Sequence, residues 1–70
     1  MPNHILTGPT EIHSFLEHLP QVPPSIFLTG AAFKATRLET EEQMGSVTVR
    51  LTDDRGSLLG SFRSPADIFQ

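Results

Sequence analysis

Three histidines, His4, His13 and His18, are the only side chains whose ordinary acidity would let them act as bases near neutral pH, so nucleophilic chemistry would have to run through one of them. His13 and His18 stand five residues apart. On one helix they diverge, whereas a chelating pair needs a spacing of four. They read as residues on a helix flank with their tips in water, and His4 falls in an N-terminal tail expected to fray.

The carboxylates give no stronger chemistry. Asp53 and Asp54 precede Arg55 and Gly56, the composition of a turn tip, where an aspartate side chain bonds the turn backbone. Glu39, Glu41 and Glu42 are clustered, but a hard-cation site needs about six or more converging oxygens and no calcium-loop consensus is present, so the cluster reads as a solvated loop. Gly30, Gly45, Gly56 and Gly60 are scattered, and none opens a phosphate-cradling turn followed by Lys and Ser or Thr. The expectation is therefore no catalytic residue, no metal, no cofactor and no enzyme.

Net charge narrows the partners. Five Lys and Arg against eight Asp and Glu give −3, which opposes long-range attraction to phosphate backbones and anionic membranes. No cysteine is present, so neither a disulfide nor a thiolate site supplements the core. Seventy residues bury only about 60% of the surface the unfolded chain exposes, and a domain this small is marginal by itself. Extra stability from a partner chain is a natural expectation. No basic and apolar export signal opens the sequence, and no window approaches the roughly 18 apolar residues of a membrane span, so a cytoplasmic location is expected.

The elements that must position these residues follow from periodicity. Gly8, Pro9, Thr10 and Glu11 form a helix start, with proline at the first helical position and a carboxylate near the positive end. Ile12, Phe15, Leu16 and Leu19 then fall at i, i+3, i+4 and i+7, one apolar stripe, and Pro20 stops the run. The spacing predicts a helix over 9–19. Three prolines, Pro20, Pro23 and Pro24, predict an extended connector over 20–25.

Residues 25–39 are ambiguous. Ile26, Phe27 and Leu28 favour strand, and Ala31, Ala32, Lys34 and Ala35 are compatible with helix. In a helix Phe33 would face Thr36, Arg37 and Thr40, so a strand over 31–39, with Phe33 and Ala35 on one face and Lys34 on the other, is preferred. Residues 40–45 read as a polar loop.

Val47, Val49 and Leu51 alternate with polar residues from Ser46 to Thr52, the period of a half-buried strand, and the partner strand runs over 57–63. A four-residue loop, Asp53 to Gly56, sets Leu51 against Leu58, Val49 against Gly60 and Val47 against Phe62. A three-residue loop with Gly56 as a bulge would turn Leu58 and Phe62 outward. Burial favours the first register, because a one-residue slip exchanges the faces of a strand. Ser64, Pro65, Ala66 and Asp67 repeat the helix-start pattern and predict a short helical turn over 64–70.

The fold expected is α+β in one small domain: an N-terminal amphipathic helix packed on a three-stranded antiparallel meander, closed by a short helical turn. Its outer sheet face would carry Arg50, Leu59, Arg63 and Lys34, and its tail would offer Ile68 and Phe69. The function expected is a small non-catalytic protein–protein interaction module, a regulator, inhibitor or accessory subunit. It would bind another chain, or a second copy as a homodimer, through a sheet edge or the exposed face, with Arg50, Leu59, Arg63, Ile68 and Phe69 as contacts. The alternative is a nucleic-acid-binding regulator using Arg50, Arg63 and Lys34, although the five phenylalanines are largely assigned to the core.

Overall fold

In a computed structural model describing residues 3–69, the last two by backbone alone, the helix start at Gly8 forms as its residue types require. Gly8 is extended (φ −92°, ψ 132°), Pro9 opens helix α1 (Pro9–His18), and the Ile12 N–H donates to the Gly8 carbonyl at 2.9 Å. Ile12 and Leu16 are completely buried, with Phe15 and Leu19 packed against the same core.

The proline-rich connector is shorter than its composition suggests, because Pro24 starts a second helix, α2 (Pro24–Leu28). The fixed φ of proline suits a first helical position, where its missing N–H has no partner to lose. Gly30, at φ 76°, then reverses the backbone into α3 (Ala31–Lys34). The strand expected over 31–39 is thus replaced by helix in its first half. Ala31, Ala32 and Ala35 form the buried side, and Phe33 points outward. Phe33 needs no apolar partner within the helix, because it is 68% exposed, and the preference for a strand falls with that requirement.

Four strands, not three, make the sheet: β1 (His4–Leu6), β2 (Arg37–Gln43), β3 (Ser46–Thr52) and β4 (Leu58–Pro65), all antiparallel in the order β1-β2-β3-β4. The segment expected as a polar loop is most of β2. Leu38 and Thr40 are its buried positions and Arg37, Glu39 and Glu41 face out. His4, expected in a frayed tail, pairs with Thr40, and its N–H donates to Thr40 Oγ1 at 2.9 Å. A 3-10 turn follows at Ala66–Phe69, but Ser64 and Pro65, expected to cap and open it, belong instead to β4, paired with Val47 and Ser46, so the turn starts two residues later than the Ser64–Asp67 pattern implies. The side chains of Ile68 and Phe69 lie outside the described residues.

The 46–52 strand stands where its alternation places it, but both predicted registers to β4 are replaced. Leu51 pairs with Gly60, Val49 with Phe62 and Val47 with Ser64, two residues from the favoured alignment, and Leu58 meets Thr52 across a bulge. The cause is local. Asp53 Oδ1 accepts from the N–H groups of Arg55 (2.9 Å) and Ser57 (2.8 Å), Gly56 takes φ 81°, and the loop extends to Ser57. A two-residue slip preserves faces, so Phe62 remains inward and buried. The bulge supplies one extra residue and turns Leu58 out, 60% exposed.

All three helices cover one face. Leu38, Val47, Val49, Leu51 and Phe62 meet Ile12, Leu16, Ile26, Ala31, Ala32 and Ala35. Contact is closest at Gly60, where an added Cβ would stand 3.1 Å from Ile26 Cδ1 and 3.5 Å from Ala31 Cβ. Among the described residues no helix is long and apolar enough to cross a membrane.

Candidate interaction surface

The outer face of the sheet has no helix over it. β3 shows why: its burial alternates strictly, with Val47, Val49 and Leu51 buried and Ser46, Thr48, Arg50 and Thr52 half-buried. Register sets the outward residues in rows. Ile5, Glu39, Arg50 and Ser61 form one, and Glu41, Thr48 and Arg63 the next. Arg50 Nη2 donates to Glu41 Oε2 at 2.9 Å and Arg37 Nε to Glu39 Oε1 at 2.7 Å, so two of the three outward arginines are matched by glutamates on the same face. Arg63 is exposed and makes no ion pair among the described residues.

The expected contact residues are only partly brought together. Arg50 and Arg63 share the outer face on neighbouring strands. Leu59 does not join them. It sits in the bulge, half-buried and packed against the core, and the outward apolar positions are Leu58 at one edge and Ile5 at the other. Lys34 is removed from this surface altogether, because α3 lies on the helical side against Gly60. Phe15, Phe27 and Phe33 belong to the helical layer and Phe62 points inward, so none of them offers a stacking surface beside the arginines. The expected contribution of Ile68 and Phe69 lies outside the described residues.

A second concavity, about 530 Å³, runs between α1 and α3 and is walled by Pro9, Thr10, His13, Glu17 and Phe33. His13 Nδ1 lies 3.2 Å from Glu17 Oε1, and its ring sits 5.1 Å from that of Phe33 at 46°. His18 turns away, its Nδ1–H donating to the Ser14 carbonyl at 2.7 Å. The divergence expected of residues five apart is what the helix produces. His4 lies in the edge strand β1, and among the described residues no three His, Asp or Glu side chains converge as a metal site would require.

Two features escaped the sequence reading. The edge strand β1 carried no signal beyond three residues, His4 to Leu6. The pairing potential of β2 was visible in the alternation of Arg37, Glu39 and Glu41 with Leu38 and Thr40, but only one large apolar residue marked its inner face. No protein-family model matches the chain, and neither a curated protein nor a solved structure matches it significantly, so its own residues carry whatever is inferred of its function.

Proposed function

We propose that this chain is a small non-catalytic interaction module that engages another protein through the uncovered side of its sheet. The observation that carries the reading is the four-stranded outer face, which stands open while every helix packs on the other side. An open antiparallel face whose edges, among the described residues, pair with no further strand is a surface that protein partners use by packing on the face or by adding a strand. The chain's net charge of −3 and the mixed charges of the face, Arg37, Glu39, Glu41, Arg50 and Arg63, suit a polar protein surface better than a polyanion. The nucleic-acid alternative draws on Arg50 and Arg63 alone, and Arg50 is already held by Glu41.

The test is capture from cell extract by the immobilised protein, with Arg50→Glu beside it, and mass by light scattering. The expected result is one protein retained by the wild type, or a dimeric mass, and lost on Arg50→Glu with the circular dichroism spectrum unchanged. A monomer that retains no protein, or retains the same set regardless of Arg50, removes the reading.

A further inference from the structure

We propose that the free edge of β4 accepts an extended segment of a partner protein as a fifth strand, and that this segment carries a carboxylate opposite Arg63. The proposal rests on the interaction reading above and names the class of partner.

Hydrogen-bond phase decides what the edge offers. The Glu42 N–H donates to Asn3 Oδ1 at 2.9 Å and so points toward β1. Antiparallel pairing alternates residue by residue. Glu39 and Glu41 therefore turn their backbone groups toward β3, Thr48 and Arg50 return them, and Val47, Val49 and Leu51 face β4. Their partners Ser64, Phe62 and Gly60 face back. The Ala66 N–H donates to the Gly45 carbonyl at 2.9 Å, which continues the same phase one step further. Ser61 and Arg63 are thus the residues whose N–H and C=O groups point to the open side of β4, where no strand lies among the described residues.

The ends of this edge are blunted and its middle is not. At one end the bulge at Leu58 and Leu59 breaks the ladder, and at the other Pro65 carries no N–H. Proline, bulges and charge are the devices by which sheets resist unwanted pairing. Between them, residues 60–64 form a regular stretch with one charge. On the opposite edge β1 is only three residues long.

Charge selects the occupant. Arg50 on β3 is met by Glu41 from β2, across the strand boundary. Arg63 has Thr48 beside it on β3 and, among the described residues, no strand position on its other side. A carboxylate on an incoming strand would repeat there the match that β2 supplies to β3. A second copy of β4 cannot supply it, because Leu58–Pro65 contains no Asp or Glu in any register. Nor does a phosphate backbone suit an edge whose exposed carbonyls alternate with its donors.

The experiment uses a displayed library of random twelve-residue peptides, selected on the wild type and on Ser61→Pro and Arg63→Glu variants, with affinities read by fluorescence anisotropy. Ser61→Pro removes an N–H that points to the open side and takes none from the β3–β4 ladder, and proline is tolerated on such an edge. Arg63→Glu is an exposed change that leaves every backbone group in place. The wild type should enrich peptides with Asp or Glu among alternating apolar residues. Their binding should fall at least tenfold on Ser61→Pro and roughly two- to fivefold on Arg63→Glu at low salt, the span of a cross-strand charge pair. Arg63→Glu should instead select Lys or Arg. Failure to enrich any peptide, enrichment without a charge preference, or binding that survives both substitutions would overturn the proposal. A dimeric mass lost on Ser61→Pro would seat a second copy on the edge and overturn the acidic partner. A protein partner lost on Arg50→Glu but kept by Ser61→Pro and Arg63→Glu would refute the edge while leaving the broader interaction reading intact.

Discussion

Met44 sits at the first position of a two-residue turn between β2 and β3, at φ 52°, with Gly45 at φ 82°. Positive φ at both central residues marks the mirror-image type I turn that asparagine followed by glycine favours. For an L-residue with a long side chain the left-handed region costs roughly 1–2 kcal/mol, and asparagine carries much less of that cost. Met44 is 98% exposed, so replacing it removes no buried apolar area. Met44→Asn should therefore stabilise the fold by about 0.5–1.5 kcal/mol. In a domain of this size each kcal/mol moves the melting temperature by about 4–8 °C. Met44→Gly relieves the same strain but loses about 0.5–1 kcal/mol through the entropy of the unfolded chain, so it should fall between the two. Met44→Val, branched at Cβ, should be worse than methionine. Thermal melts by far-ultraviolet circular dichroism, with urea midpoints at constant m, give the order directly. The order Asn, Gly, Met, Val is required. A Met44→Asn variant that melts at or below the wild type would refute the strained turn, and with it the two-residue connection that fixes the β2–β3 register.

Other substitutions test the remaining contacts. Gly60→Val should destabilise by about 1–3 kcal/mol despite the better strand propensity of valine, because its side chain meets Ile26 Cδ1; Ile26→Ala in the same chain should lessen the loss, measured by a urea double-mutant cycle. Asp53→Ala removes the acceptor of two turn N–H groups and should cost about 0.5–2 kcal/mol, with Asp53→Asn retaining most of the stability. Leu38→Ala, at a fully buried position, should cost about 2–5 kcal/mol, close to the whole stability expected of 70 residues, and be largely unfolded at 37 °C by circular dichroism. Arg50→Ala, by contrast, breaks an ion pair whose side chains are 42% and 47% exposed and should change stability by under about 1 kcal/mol, a difference that disappears in 1 M salt.

These contrasts separate what local chemistry settles from what packing settles. The helix at Pro9–His18 was legible because a glycine-proline start, an apolar stripe at i, i+3, i+4 and i+7 and a terminating Pro20 all act within the helix itself. The β3 strand and the inward face of Phe62 were legible for the same reason, since a period of two survives any even slip of register. Asp53 was correctly read as a turn residue, but not how many residues its carboxylate would hold, and that number decided the register and sent Leu58 outward in place of Leu59.

Tertiary structure alone decided the rest. The alanines at 31, 32 and 35 lean locally toward helix, but so short a run cannot hold one alone, and the apolar Phe33 argued for a strand. Ala31 and Ala32 settle into α3, with Ala35 capping it in extended conformation, because small side chains let the helix approach Gly60, where Ile26 and Ala31 fill the space a side chain would take. β2 and β1 hold each other: Leu38 is buried under the helical layer, Thr40 takes the His4 N–H on its Oγ1, and three residues of β1 have no reason to extend except that β2 is there. The sequence by itself therefore determined the elements whose stabilising contacts lie within about a turn or a hairpin of each residue. Only the assembled layers decided the fourth strand, the removal of Lys34 from the sheet face, and the edge on which Arg63 stands without an ion-pair partner among the described residues.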